Sequence, residues 1–597
     1  TLAEKSDTHA ATARRLLELA LSMVQQWLAD ERFGASRLVF MTSGAVPAGA
    51  DDGVRDLAVA PVWGLVRSAQ SENPGRFVLV DLDDTSNVSL RDLLAVLDSD
   101  ESQLAVRADR VLAPRLMRVE RQANGASEAA GMTHPKTDSE DTARSAAKMG
   151  VSATGAPSTA LITGGTGALG ALLARHLVKE HGVRSLVLTS RQGPRAAGAE
   201  RLKADLVELG AQVMLVACDV SDREQLAQVI DSVDGEYPLR VVVHAAGALD
   251  DGVIGSMTPE RIAHIFAPKA DAAWHLHELT EGLDLSAFIL YSSSTGTLGG
   301  PGQSNYAAAN VYLDSLAAYR RERGLPGVSM AWGLWAATGS MAGELSTSDR
   351  VRMERSGMLA LSAEEGLRLF DLAQAAGEPL LIPARLDTTG LRAQARAGTL
   401  SPLLRGLVRA TADRQASTAG SLARRLAGTP EEERERVVLE LVRREVAAVL
   451  GHDSPDAIDV RRAFNELGFD SLTAVELRNR LSALSGVQLP ATLAFDYPST
   501  AELSGFLLGQ IEPQGGQRPD RSLEEVDIRG AIASIPLARL REAGIMDTLL
   551  TLAGLASGSG AATENEPVDS VDEMDLESLV ELTLGVDEAL GDSAGRS

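Results

Sequence analysis

The chain has 597 residues, more than one hydrophobic core usually organises, so about three to five domains are expected before any motif is read. An apolar fraction of 44% is ordinary for a globular protein, while a formal charge of -25 argues against phosphate-backbone binding and leaves nucleic acid out as a main partner. A single cysteine, Cys218, excludes an internal disulfide framework; no run approaches about 18 consecutive apolar residues, and the start TLAEKSDTHA has neither a basic nor an apolar signal region, so a cytoplasmic chain without a membrane partner is expected.

The chain opens without Met and almost directly into a helical pattern at 14–28, which reads as a piece of something longer. Polar, apolar-poor stretches at about 120–157, 390–429 and 512–522, and a Gly/Ser/Ala-rich one at 553–566, divide it into four blocks. In the first, residues 1–119, helix patterns alternate with short apolar runs at 38–41, 77–82 and 104–106: an α/β unit without a glycine-rich loop. In the second, 158–400, apolar runs at 160–163, 185–189, 213–217, 241–245, 287–291 and 328–332 are separated by helix-length segments, the rhythm of a doubly wound, Rossmann-like parallel sheet. Cys218 falls in such a run and reads as a buried structural thiol. The third block, 430–511, has only helical patterning, starting at Pro430 and a run of glutamates, and predicts a small four-helix bundle; 401–429 is its linker. The fourth, 520–597, holds short helical patterns in acid-rich sequence.

Chemistry enters after the first strand of the second block. Thr163-Gly164-Gly165-Thr166-Gly167-Ala168-Leu169-Gly170 stands between strand and helix, where glycines permit a tight turn and let backbone N–H groups approach a pyrophosphate. About 20 residues on, where NAD enzymes carry an acid against the ribose, the next strand ends Ser190-Arg191, and a cation there favours the 2′-phosphate of NADP. Asp219, with Val220 behind it, is placed either to meet the adenine edge or to cap the helix starting near Asp222. Ala245-Ala246-Gly247 follows the fourth strand and completes the cofactor side.

The fifth strand runs into Ser292-Ser293-Ser294, and Tyr306 follows Ser293 by 13 residues (306 − 293), with Asn310 at i+4 on the same helix face. In this order and spacing the residues resemble the short-chain dehydrogenase/reductase family, and specifically the ketoreductases of polyketide synthases, where a lysine precedes the serine and tyrosine; Lys269 holds that position and Asn310 stands where other short-chain reductases carry lysine. The resemblance implies that Lys269 stabilises the Tyr306 phenolate and touches the nicotinamide ribose, that Ser293 and Tyr306 hydrogen-bond the ketone, that Tyr306 protonates it as hydride arrives, and that Asn310 holds a relay water. A phenol with pKa ~10 is a poor acid–base group without a nearby cation. Leu249-Asp250-Asp251 resembles the signature of B-type ketoreductases, which give the (3R) β-hydroxyl; Leu298, Pro301 and Asn305 fit the same pattern, and Ala309 the non-epimerising subtype. Asp250 and Asp251 read equally as a solvated loop or helix cap when taken alone. His275 and His277, at i and i+2, point to different helix faces and make no metal site; none is expected. The stretch 336–358, with Met341 and Met358, is expected to form a substrate lid. Block one then corresponds to the truncated structural half that accompanies these reductases, and 120–157 to a linker.

Gly468-Phe469-Asp470-Ser471-Leu472, with Ala494-Phe495-Asp496-Tyr497-Pro498 downstream, is similar to an acyl carrier protein, implying covalent 4′-phosphopantetheine on Ser471 and a phosphopantetheinyl transferase as partner. The last 37 residues hold 11 acids and one arginine and, with apolar positions from Ile528 to Leu552, resemble a dimerising C-terminal docking domain for an N-terminal docking helix of the next synthase subunit. The whole resemblance implies NADPH-dependent reduction of a carrier-bound β-ketoacyl thioester by a homodimer that also works with upstream synthase domains. The competing expectation is a reductase-inactive carrier and docking scaffold.

Overall fold

The computed structural model describes residues 9–83, 101–119, 158–336, 357–408 and 421–511, some single positions aside. The segment read as a linker at 120–157, most of the expected lid and the expected docking domain lie outside the described residues.

Two sheets organise the first two blocks. In the first, β1 (Leu38–Ser43), β2 (Phe77–Leu82) and β3 (Gln103–Arg107) run parallel, and β4 (Arg110–Leu112) turns back antiparallel on β3. In the second, β5 (Thr159–Thr163), β6 (Ser185–Ser190), β7 (Gln212–Ala217), β8 (Leu239–His244), β9 (Ala287–Ser293), β10 (Val328–Trp332) and β12 (Leu380–Leu381) lie in the order β7-β6-β5-β8-β9-β10-β12, every pairing parallel. A parallel sheet covered by helices on both faces needs apolar side chains on both, and all five residues of β5 are buried accordingly. The winding reverses beside β5, between β6 and β8, which opens a crevice at their carboxyl ends. A short antiparallel pair, β11 (Met358–Leu359) with β13 (Arg385–Leu386), stands apart from the sheet. Strands of two residues, such as β11, β12 and β13, leave no periodicity in a sequence.

Cys218 is buried at the end of β7, and burial pushes its thiol up to about 11, too high for a nucleophile at neutral pH. His176 Nε2 and His181 Nε2 both meet Asp371 Oδ1, at 2.9 and 2.8 Å, and so clamp the helix Ala363–Ala376 to the helix Ala168–Lys179. Among the described residues no helix is long and apolar enough to cross a membrane.

The helix Ser304–Glu322 is buried along most of its length, because the large sheet covers one side and the first block's helix Ala60–Glu72 covers another. The two helices touch at backbone distance: a Cβ on Gly64 would lie 2.5 Å from the Ala307 carbonyl oxygen. The first block also holds the loop that leads into this helix. Arg67 Nη1 donates to Gly296 O at 2.9 Å, and the Glu72 carboxylate accepts from Gly302 N at 2.9 Å and Ile254 N at 2.8 Å. Burial pushes Glu72 up to about 7, against those two hydrogen bonds and the neighbouring Arg478, which all favour its charged form.

The third block is a helical bundle: Glu431–Leu450, Ser471–Ser485, Leu493–Asp496 and Thr500–Ile511 enclose Val438, Val442, Leu477, Leu481, Leu503 and Leu507. Its longest helix starts behind Pro430 with three glutamates in the first turn, where the helix dipole favours them, and stops at Gly451 in a left-handed conformation (φ 79°).

Substitution of Gly64 by leucine is expected to push apart the helices Ala60–Glu72 and Ser304–Glu322, costing about 1–3 kcal/mol of stability as overpacking does. Chemical unfolding checks this, and an unchanged midpoint contradicts the close approach.

Candidate active site

The cofactor end is built from backbone. Gly164 has φ 67°, and a Cβ there would lie 2.9 Å from the Ala245 carbonyl carbon; a Cβ on Gly170 would lie 2.4 Å from Gly164 O. Only glycine lets the turn fold back on itself against the end of β8. The helix Ala168–Lys179 begins at Gly167 with no side chain capping it, so its first N–H groups point out of the turn unclaimed by a cap. This cradle fits a pyrophosphate. Arg191 lies exposed just past β6, free to meet a 2′-phosphate, whereas the Ser190 hydroxyl accepts from Gly193 N at 3.0 Å. Asp219 Oδ1 accepts from Ser221 N and Ser221 Oγ at the end of β7, and Asp222, not Asp219, caps the helix Arg223–Asp231; Val220 is buried behind them.

The Thr163 side chain turns inward. Its hydroxyl lies 2.7 Å from His244 Nδ1, and His244 Nε2 lies 3.0 Å from the backbone carbonyl of Lys269. A carbonyl only accepts, so Nε2 carries the proton, Nδ1 accepts, and Thr163 donates. Burial and the nearby Lys269 charge hold His244 down to about 3, which keeps it neutral. His244 therefore ties β5 and β8 to the backbone that carries Lys269. It stood in the sequence only as a neighbour of Ala245-Ala246-Gly247, with no signal of this role.

Lys269 sits in a π-helical turn, Ala267–Asp271, between the helices Pro259–Phe266 and Ala272–Thr280. Such one-turn expansions re-aim a side chain. Here Lys269 is 2% exposed, with Nζ 2.8 Å from Asn310 Oδ1, 3.0 Å from Tyr291 O and 5.2 Å from the centre of the Tyr306 ring. The Asn310 amide uses its other end to donate to Tyr306 O at 2.8 Å. Burial lowers Lys269 to about 7 and raises Tyr306 to about 12, the second opposed by the side chains of Asn310 and Ser293. The phenol therefore keeps its proton at neutral pH. Ser293 ends β9, and its hydroxyl caps the helix Ser294–Leu298 through Thr295 N.

These groups share one cleft, lined by Leu169 and Ala245 from the cofactor end, by Lys269, Ser293 and Tyr306, and by Leu249, Gln303, Trp335 and Met358 around the opening. Asp250 and Asp251 do not line it. Asp250 Oδ1 accepts from Arg261 Nη2 at 2.7 Å, Asp251 Oδ2 accepts from Gln303 Nε2 at 2.8 Å, and Asn305 Nδ2 donates to Asp250 O at 2.9 Å. The acidic pair thus fixes its own loop against the turn before Tyr306. A Cβ on Gly247 would fall 3.0 Å from Lys269 Cε, so the Ala246-Gly247 segment passes close under the lysine.

In the bundle, Asp470 caps the helix Ser471–Ser485 through Leu472 N and Thr473 N in a reciprocal capping box, and Ser471 is its exposed first residue. With Asp470 doing the capping, nothing among the described residues occupies the Ser471 hydroxyl.

A seven-stranded sheet wound this way, with a glycine cradle and a buried lysine–tyrosine pair at the switch point, defines a dinucleotide-dependent reductase of the short-chain type. Family models match in three places: "KR domain" at 158–337, "Polyketide synthase extender module SpnB, Rossmann fold domain" at 1–116, and "Phosphopantetheine attachment site" at 440–507. The spectinabilin polyketide synthase system protein NorA' of Streptomyces orinoci is 46% identical over 579 residues, covering 96% of this chain and 15% of that protein. Mycoketide-CoA synthase of Mycobacterium tuberculosis is 48% identical over 437 residues, 71% of this chain and 10% of that one. The chain thus spans a small fraction of the curated relatives it matches. A solved structure of A-type ketoreductases from a modular polyketide synthase superposes with a TM-score of 0.54 at 34% identity, covering 65% of this chain and 77% of that one, and an A1-type ketoreductase with 0.52 at 32%, covering 67% and 86%. The chain belongs to the NADPH-dependent ketoreductases of modular polyketide synthases, joined here to a phosphopantetheine-bearing carrier domain.

Lys269→Met isolates the buried charge. A lysine whose folded pKa is depressed from 10.5 to about 7 contributes stability that is present above its unfolded pKa and lost as pH falls toward 7, below which both states hold the proton. The stability of the variant relative to the native chain is therefore expected to be flat below pH ~6 and to shrink by about 1.4 kcal/mol per pH unit from pH ~7 to ~9, read by chemical unfolding. A difference independent of pH contradicts the depressed pKa.

Proposed function

We propose that this chain reduces the 3-keto group of a β-ketoacyl thioester borne on Ser471 to a (3R)-hydroxyl, as a B-type, non-epimerising ketoreductase. The observation that carries the reading is the single cleft in which Lys269, Ser293 and Tyr306 meet Leu169 and Ala245 of the glycine cradle. NADPH, when bound, supplies hydride to the ketone carbon. Thr163 to Leu169, Gly170 and Ala245 to Gly247 form the cradle for it, Ser190 and Arg191 the 2′-phosphate end, and Asp219 and Val220 the adenine edge.

Tyr306 donates its proton to the ketone oxygen, for which a neutral phenol is the required state. Ser293 donates a second hydrogen bond to that oxygen, so charge developing on it is met from two sides. The phenolate left behind lies against Lys269, whose ammonium form is favoured whenever negative charge enters the cleft. Asn310 Oδ1 keeps a lone pair beyond its bond to Lys269, and a water there returns the proton.

The (3R) outcome rests on the sequence Leu249-Asp250-Asp251, with Leu249 lining the cleft and the two acids bonded to the turn before Tyr306. The flexible thiol arm on Ser471, attached by a phosphopantetheinyl transferase, carries the acyl chain in from synthase domains upstream. The acid-rich sequence past 520 is proposed to pair the chain into a homodimer and to dock on a basic N-terminal helix of the next subunit.

With NADPH and a diketide thioester, the product is expected to be the (3R)-hydroxy compound on chirally resolved chromatography, and the (3S) product contradicts the B-type reading. Tyr306→Phe is expected to lower turnover at least about a hundredfold while NADPH still binds. An unchanged rate removes Tyr306 from the chemistry, and a native chain that binds NADPH without turnover leaves only the carrier scaffold.

A further inference from the structure

The carrier bundle meets the reductase at the end of the helix Ala60–Glu72. The helix Ala60–Glu72 ends at Glu72, where its last carbonyls have no partner within the helix and the helix dipole is negative. The carrier's helix Ser471–Ser485 supplies the donors. Arg478 Nη2 donates to Glu72 O, and Asn479 Nδ2 donates to Glu72 O at 3.0 Å and to Ser71 O at 3.2 Å. Arg478 Nη1 and Nη2 also reach Asn73 Oδ1 at 3.5 Å. Arg478 is only 7% exposed, so its cation is withdrawn from water to make these contacts.

About two turns before Asn479 and on the same face, Leu472 packs on Gly302: a Cβ on Gly302 would lie 2.4 Å from Leu472 Cδ2. Gly302 has φ 77°, precedes Gln303, which lines the cleft, and is held by the same Glu72 whose carbonyl Arg478 grips. Glu72 thus reads both ways, with its carbonyl toward the carrier and its carboxylate toward the turn before Tyr306. Leu472 is the chain neighbour of Ser471, so the attachment residue is set down beside the mouth of the cleft.

We infer that the exposed end of the helix Ala60–Glu72 is the surface on which this chain's own carrier docks for reduction, with Arg478 and Asn479 fixing the carrier and Leu472 on Gly302 aiming the Ser471 arm into the cleft. The non-catalytic first block then has a second duty besides propping the catalytic helix: it recognises the acyl carrier. The inference rests on the proposed reductase reading. Arg478 and Asn479 are positioning residues for delivery and take no part in the chemistry.

The test uses the full chain, loaded by a phosphopantetheinyl transferase with acetoacetyl-CoA, in single-turnover reduction by NADPH; the same protein is assayed on a free acetoacetyl N-acetylcysteamine thioester. Arg478→Glu places a carboxylate against the Glu72 carbonyl and Asn73 Oδ1 and is expected to slow tethered reduction about tenfold or more. Free-thioester turnover and the mass shift from arm loading stay as in the native chain. Asn479→Ala is expected to slow only the tethered reaction, by a smaller factor. A tethered rate unchanged in both variants overturns the docking surface, as does an equal fall on the tethered and free substrates, which would make the contact a prop for the fold. Loss of both activities in the native chain instead strikes the reductase reading itself.

Discussion

A lysine with almost no access to water is the constraint around which the site is arranged. Its ammonium form is costly to bury, and Lys269 is bearable only because Tyr291 O and Asn310 Oδ1 accept its hydrogen bonds and because the backbone beneath it is fixed by His244. Each of those partners sits on a different element: β9, the helix Ser304–Glu322 and β8. Moving Tyr291 or Asn310 unpartners the ammonium group, and moving His244 releases the backbone that carries it, so the parallel sheet, the π-turn and the helix Ser304–Glu322 are held to one mutual geometry. Tyr306 benefits from this rigidity. Burial keeps its proton on at neutral pH, with Lys269 Nζ 5.2 Å from the centre of its ring.

The first block enters through the same helix. Ser304–Glu322 is buried nearly all round, and a helix of that kind needs a covering on every side. Ala60–Glu72 provides one side, close enough that Gly64 has no room for a side chain, and its end residue Glu72 fixes the Gly302 turn. A block that has no glycine cradle and no tyrosine constellation thereby sets the entry to the cleft. The carrier's contact with the end of that helix extends the same logic from holding the site to supplying it.

Much of the large sheet was legible because buried parallel strands read as apolar runs. Val241 to Ala245, Ala287 to Tyr291 and Val328 to Trp332 announce β8, β9 and β10 without help from context. Tyr306 and Asn310 were legible as a pair because i and i+4 share a helix face. Lys269 was legible only through family resemblance, since nothing local marks a π-turn or a lysine bound for the interior. Glu72 and Gly302 lie 230 residues apart, and Arg478 and Glu72 lie 406 apart, so their partnership has no trace in spacing. Asp250 and Asp251 were legible as a motif, but their bonds to Arg261 and Gln303 were not. Asp470 rather than Ser471 caps the carrier helix, a division of labour that only the backbone geometry reveals.

The central claim is that hydride and proton are delivered in this cleft to a ketone carried by the chain itself. Intact-mass analysis of the acetoacetyl-loaded protein, before and after one equivalent of NADPH, tests it most directly. The account predicts that the arm on Ser471 gains two hydrogens for each NADPH oxidised. A loaded arm of unchanged mass, with NADPH bound but not consumed, would contradict it.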